Sequence, residues 1–423
     1  MFLGHPFVIT SIIHYLVVHN FLYDNKSHVP SYKRLVNVPV LSMVDDMLAI
    51  SNCGQESISL NTYINTHVEL KKLGLHTPDH TGKTKCHKMH VGCKNLLCPD
   101  LRVHDTLMKT ASEDIYLGDV IRADGKNCSN IQKRVSKGLG LVTQIMTTVE
   151  TISFGKSYFK IALSIREALF LSGILTNGEV WYNLNKSDLE DLEAVDRLLL
   201  RRILGVPEST SKEALYLETG CLDITSILQC RRLGFLHYLV RQEKNSMMYK
   251  FFKAQWDYPA TGDWTAHARR DLAEFCIPES FEHLEEISEY SFSNLLRKKT
   301  RKNALEKFLR IKSTHSKLDN LEYSELKLQG FLESKDLNVE ESKIVVKWRL
   351  RMAKFGANFG DEKKLCPLCK AHKDTQEDSF SNCDFLKNKV SITNKYEEIF
   401  TKPSSELAKS LIMIMKIRET EEN

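Results

Sequence analysis

The stretch Val38–Ser51, VPVLSMVDDMLAIS, places two adjacent carboxylates, Asp45 and Asp46, between two apolar runs. Val38, Val40, Leu41, Met43 and Val44 precede the pair, and Met47, Leu48, Ala49 and Ile50 follow it. Runs of this length and composition read as strands joined by a tight turn, so the stretch predicts a hairpin. Two acids at the tip of a buried hairpin are costly unless something compensates them, and a divalent cation is the usual compensation. A solvated Asp-Asp turn satisfies the same residues. The hairpin alone leaves both readings open.

A chain of 423 residues is long enough for two or three domains. Its 42% hydrophobic and 27% charged content is that of a globular protein. A net charge of +5 and a pI of about 8.5 are only mildly basic, so nucleic-acid contact would have to come from local patches. The 11 cysteines are scattered and odd in number. They suggest no disulfide framework and point to a reducing intracellular compartment, nucleus or cytoplasm. Residues 1–23 carry no Asp, Glu, Lys or Arg, and 8–23 is apolar enough in length to span a bilayer. His5, Pro6, His14, His19 and Asn20 interrupt it and no basic segment precedes it, so a buried N-terminal segment is expected, not a membrane anchor.

Periodicity predicts a helix over 59–75 and a strand over 115–121, followed by the turn Asp124-Gly125. From residue 131 the chain reads as mostly helical, with helices over 131–150, 157–176, 188–204 and 222–242. In 188–204, Ser187 and Glu190 form a candidate capping box, and Leu189, Leu192, Val195, Leu199 and Ile203 form the apolar stripe. Gly205 and Pro207 end that helix, and Arg201 and Arg202 near its end suit the helix dipole. Charge-rich helices fill 265–355, and an amphipathic helix closes the chain at 404–419.

Four segments follow one another in order: VPVLSMVDDMLAISNCG, INTHVELKKLGL, KCHKMHVG and IYLGDVIRADGKN. Their order and spacing resemble the second half of the palm of a non-LTR retrotransposon reverse transcriptase. Downstream, LTNGEVWYNL and LEAVDRLLLRRILGVP resemble the thumb and linker of that family. The resemblance covers about residues 31–385. It implies an α+β fold, a partial palm of few antiparallel strands with a helix, followed by a predominantly helical thumb and C-terminal region. The segments it implies are an unrelated apolar stretch at 1–30, the partial palm at 31–130, a helical thumb and linker at 131–260, a basic helical region at 261–364, a zinc knuckle at 365–385 and a terminal helix at 386–423.

The resemblance also implies roles. Asp45 and Asp46 would hold Mg or Mn for RNA-directed DNA polymerisation, with the first Asp the stronger ligand. Nucleoside triphosphates and an RNA or DNA template–primer would be the partners. Met43-Val44 departs from the aromatic residue common before the pair, which bears on nucleotide contacts. Lys85 falls where the family carries a palm lysine near the triphosphate, and a solvated loop lysine fits it as well. Tyr116-Leu117-Gly118 matches the strand near the primer grip. The family's first catalytic Asp lies well upstream of the pair, and only Asp24 precedes Asp45. A 5′-truncated element, inactive alone as a polymerase but retaining nucleic-acid binding, is therefore expected. The alternative is a non-enzymatic helical protein derived from the element that binds nucleic acid or protein.

Cys366-Pro-Leu-Cys369 with Cys383 is a zinc half-site, and Zn²⁺ takes four N or S donors in a tetrahedron. Related elements place a His where this chain has Asp378, so Asp378 or His372 is the candidate fourth ligand. Cys86, His87, His90, Cys93 and Cys98 also cluster, but strand alternation sends Cys86 and His90 to one face and His87 to the other, so no zinc is expected there. The run Arg297-Lys298-Lys299-Thr300-Arg301-Lys302 is dense enough to neutralise phosphates, with Phe308 and Trp348 near it in sequence. Acidic neighbours such as Glu285, Glu286, Glu289 and Glu306 also fit a solvated helix face, and the reverse transcriptase resemblance favours nucleic-acid contact. Arg349 and Arg351 form a smaller candidate of the same kind.

Overall fold

Hydrophobic patterning builds a predominantly helical α+β chain in the computed structural model. The structure describes residues 40–43, 46–49, 87–89, 100–103, 106–116, 118–152, 155–182, 184–258, 262–313, 318–360 and 364–421. The apolar segment at 1–23, the helix at 59–75, Asp45, Lys85, Cys86, His90, Cys93 and Cys98 lie outside them. Among the described residues no helix is long and apolar enough to cross a membrane.

The described chain separates into two units, each discontinuous in sequence. The first comprises Met1–Lys133, Asn177–Asp188 and Leu228–Leu296. The second comprises Arg134–Thr176, Leu189–Ile227 and Arg297–Asn423.

The first unit carries the strands. β1 (Val40–Met43) pairs antiparallel with β2 (Asp46–Ala49), Val40 opposite Ala49 and Met43 opposite Asp46. The expected hairpin is therefore present, and Asp46 opens its second strand. β3 (His87–Lys88) runs parallel to β6 (Lys109–Thr110), while β4 (Arg102–Val103) and β5 (Thr106–Leu107) pair antiparallel. The His87 ring nitrogen Nδ1 lies 2.7 Å from the Asp114 carboxylate. The strand expected over 115–121 is instead a hairpin of β7 (Glu113–Tyr116) and β8 (Asp119–Arg122), with Tyr116 opposite Asp119. Gly118, between the two strands, has φ +87°, which glycine adopts without steric cost and which apolar patterning alone runs through. The turn expected at Asp124-Gly125 is present, with the Gly125 N–H donating to the Arg122 carbonyl.

Helices fill the rest of this unit. They include most of α5 (Ile224–Val240), then α6 (Met247–Asp257), α7 (Trp264–Glu274) and α8 (Phe281–Glu286). Asp263 caps α7 through the Ala266 N–H. The buried Trp264 indole donates to the Glu179 carbonyl at 2.8 Å. Arg232 on α5 pairs with the buried Asp271 of α7. His237 stacks on Phe292 with ring centroids 4.3 Å apart.

The second unit is built on most of α1 (Cys128–Ile152), a helix at 158–174, and most of α3 (Lys186–Leu204). The middle helix, α2, is α-helical over Tyr158–Ile165 and Ser172–Ile174 and widens to a π-helix over Arg166–Leu171. Leu192, Val195, Leu199 and Ile203 of α3 are buried as their spacing requires. The cap of α3 is not the expected Ser187/Glu190 pair. Asn185 Oδ1 accepts from the Asp188 N–H at 2.8 Å, and Asp188 Oδ2 accepts from the Asn185 N–H at 3.2 Å. Both pairs have capping-box spacing, and Glu190 is drawn instead to Arg197. α4 (Lys212–Thr219) ends at Gly220, whose φ of +67° closes the helix.

α9 (Glu289–Lys312) carries the basic run, and α10 (Val339–Arg349) starts from an Asn338/Glu341 capping box. The last core gathers Trp348, Phe355, Phe380, Tyr396, Leu407 and Leu411 around Cys366 and Cys383. α11 (Gln376–Ser381), α12 (Asp384–Lys389) and α13 (Ser405–Glu421) supply its walls.

Candidate metal centre and basic face

Three thiols converge in the last core. The Sγ atoms of Cys366, Cys369 and Cys383 all lie within 4.8 Å of one another, and Cys366 and Cys383 are 4.0 Å apart. Two local devices produce this. Cys366 and Cys369 sit on a tight turn in which the Lys370 N–H donates to the Cys366 carbonyl at 2.9 Å. Lys370 there takes φ +54°. Leu365 bridges Lys373, and the Cys366 N–H donates to the His372 carbonyl at 2.8 Å, which closes the loop. Cys383 is the N-cap residue of α12 and arrives from the other side, its own N–H bonded to the Asp378 carbonyl at 2.9 Å.

Backbone N–H groups face the sulfurs. Those of Ala371 and His372 donate to Cys369, and that of Leu386 donates to Cys383. Burial pushes the Cys383 thiol up to about 12, against the Leu386 N–H. Burial also opposes ionisation of Cys369, but the Ala371 and His372 N–H groups and the two neighbouring thiols outweigh it, leaving this thiol below its ordinary value. Soft sulfur donors held this close, with N–H groups aimed at them, suit Zn²⁺. A bound ion would deprotonate all three and add its binding energy to the stability of this core.

The fourth ligand does not follow the sequence expectation. Among the described residues only the three cysteine sulfurs gather at the centre. His372 contributes its carbonyl, to Cys366. The Asp378 carboxylate is engaged by Thr375 Oγ1 and Asn382 Nδ2, each at 2.9 Å, as part of the start of α11. Its place three residues after an N-cap threonine commits it to that helix.

The basic run falls on α9 as a stripe. Arg297, Lys298, Arg301 and Lys302 are exposed, as two adjacent pairs one turn apart. Lys299 is half-buried and Thr300 is buried. Arg301 Nη1 donates to the Leu326 carbonyl at 2.6 Å, and Lys302 lies 3.8 Å from Glu306. Arg202 is exposed at the end of α3, while the half-buried Arg201 donates to the Thr210 carbonyl at 3.2 Å. Burial, and then the adjacent Arg197, hold the Arg201 pKa below its ordinary value.

Arg349 is not on a surface. It is 3% exposed, its Nε donates to Glu218 at 3.0 Å and its Nη1 donates to the Ile399 and Phe400 carbonyls. Trp348 and Phe308 are buried as well, so neither offers a stacking platform to a base. Arg351 is half-buried. Of the palm residues, Asp46 is placed by its backbone at the start of β2.

Sequence reasoning missed the ionic interior of the second unit. Arg166 and Asp196 are both buried and paired, and Tyr216 donates to Asp196 at 3.3 Å. Glu218 accepts from Arg349 and, at 2.8 Å, from Tyr323. One signal was available: Asp196 lies between Leu192 and Leu199 on the apolar stripe of α3, where a carboxylate requires a buried cation.

The chain was compared with known protein families, curated proteins and solved structures, and no family model, curated protein or solved structure matches it.

Proposed function

We propose that this chain derives from the palm and thumb of a non-LTR retrotransposon reverse transcriptase, and that it binds RNA or DNA without extending a primer. The observation that carries the reading is the collinear order of its parts: the Asp45-Asp46 stretch, the palm-like segments, the thumb-like helices and a Cys-rich end. The antiparallel pairing of β1 with β2 across Asp46 supports it, as does the gathering of Cys366, Cys369 and Cys383. Two-metal phosphoryl transfer needs a further carboxylate beside the pair. Within the 423 residues only Asp24 precedes Asp45, in a context unlike the family's first catalytic strand. Asp45 and Asp46 are then inherited Mg or Mn ligands. Binding falls to the exposed cations of α9 and to Arg202, which would contact phosphates. The Cys triad, holding Zn²⁺, would stabilise the terminal core.

The test is primer extension on an RNA template with Mg²⁺ or Mn²⁺, run beside Asp45→Ala/Asp46→Ala. No extension, together with salt-dependent binding of the same template–primer, is the expected result. Extension that the double substitution abolishes would overturn the assignment of inactivity. Binding that does not change with salt would overturn the phosphate contacts.

A further inference from the structure

We propose that Cys369 is a peroxide-reactive thiol and that one of the two buried thiols beside it resolves the oxidised product as a disulfide. The inference stands apart from nucleic-acid binding and rests on how the triad is divided. Cys366 is 1% exposed and Cys383 is fully buried, whereas Cys369 is half-buried and open to a small solute. All three sulfurs lie within 4.8 Å, so the accessible thiol has two potential resolving partners at hand. A partly exposed thiol with two buried thiols within reach is the arrangement in which a sulfenic acid is resolved as a disulfide.

The chemistry balances with hydrogen peroxide as oxidant. The Cys369 sulfur attacks one peroxide oxygen, the O–O bond breaks, and Cys369 sulfenic acid forms with release of one water. The sulfur of Cys366 or Cys383 then attacks the sulfenic sulfur, an S–S bond forms, and a second water leaves. Two thiols have lost two hydrogens and one peroxide has been reduced. With Zn²⁺ at the centre, the disulfide removes two of the three thiolates and the ion is released.

The experiment treats the full chain, zinc-loaded and zinc-free, with hydrogen peroxide. Intact mass, a non-reducing peptide map and zinc release to a chromogenic chelator are the readouts. A disulfide joining Cys369 to Cys366 or Cys383, reversed by dithiothreitol and accompanied by zinc release from the loaded protein, is the expected result. Cys276→Ser, which removes an exposed thiol elsewhere, is expected to leave that disulfide in place. In Cys369→Ser the reaction is expected to be lost, with circular dichroism reporting whether the fold is kept. Should that variant fail to fold, the wild-type map alone decides. A disulfide between Cys366 and Cys383 with Cys369 still a free thiol would overturn the proposal. So would progression of Cys369 to sulfonic acid with no disulfide formed.

Discussion

Arg166 holds Asp196 through two parallel hydrogen bonds, Nε to Oδ1 at 2.6 Å and Nη2 to Oδ2 at 2.7 Å, with neither side chain more than 1% exposed. The guanidinium leaves the backbone in the π-helical turn of α2 and also donates to the Leu222 carbonyl at 3.0 Å. Burial works against its charge, and Asp196 more than offsets that, so its pKa stays above the ordinary value. Removing one partner strands the other charge in the core. Asp196→Ala should cost about 3–5 kcal/mol in chemical denaturation. The double variant Arg166→Met/Asp196→Leu should cost clearly less than Asp196→Ala, because no buried charge is left over. Equal losses in the two variants would mean that the pair contributes through shape and not through charge.

Gly220 ends α4 with φ +67°, and a Cβ built there would lie 2.2 Å from the Lys327 backbone carbon and 2.4 Å from the Leu328 nitrogen. Both the left-handed conformation and the backbone contact demand glycine. Gly220→Ala should therefore destabilise by more than the ~1 kcal/mol of an ordinary left-handed position, on the order of 3 kcal/mol or above. Gly118→Ala is the control, since a Cβ there meets nothing within 4 Å and only the conformational cost remains. Thermal melts of the two variants should rank in that order.

Much of this was legible in the sequence where the cause is local. The stripe of α3, its stop at Gly205 and the converging Cys366 and Cys369 all follow from spacing over a few residues. The errors share a different cause. Arg349 and Trp348 read as a basic, aromatic surface because the WRLR stretch contains no acid, and the acid that claims Arg349 lies 131 positions earlier at Glu218. The fourth zinc ligand was read as Asp378 or His372 by position, yet Thr375 makes the Asp378 carboxylate part of a helix start and His372 contributes its carbonyl. The break between β7 and β8 at Gly118 was overlooked because the apolar run continues through it.

His267 on α7 gives the first unit a pH dependence. Burial, and then the charges of Arg232 and Arg270, push its pKa down to about 4 from 6.5. The unfolded chain therefore takes up the proton first. Stability from this group is full above pH 6.5 and is lost as pH falls from about 6.5 toward 4. The ring is only partly buried, so the loss should be on the order of 1–2 kcal/mol after solvent screening. Asp271, whose pKa burial raises, contributes in the opposite direction over acid pH, so the difference between variants is the quantity to measure. Denaturation at pH 7 and pH 4.5 should show a smaller drop for His267→Gln than for the parent. An unchanged drop would place the acid sensitivity elsewhere.

The basic stripe of α9 and the buried Arg349 make opposite predictions for nucleic-acid binding. Arg297, Lys298, Arg301 and Lys302 are exposed, and each phosphate they neutralise would release counterions. Replacing all four by Ala should reduce the slope of log K against log salt by up to about 3.6, at ~0.7–0.9 per contact. Arg301 is also bound to the Leu326 carbonyl, so a reduction nearer to three contacts is the better expectation if that bond persists in the complex. Stability should change little, because all four side chains are exposed, whereas Thr300, Ala304 and Phe308 supply the buried contacts of the same helix. Arg349→Ala should do the reverse. It leaves Glu218 charged and buried, costing about 3–5 kcal/mol, while the salt slope of whatever remains folded stays as in the parent. Fluorescence anisotropy across a salt series, paired with denaturation of each variant, separates the two. A parental slope in the fourfold variant would remove α9 from the binding face and leave its charges as a solvated surface.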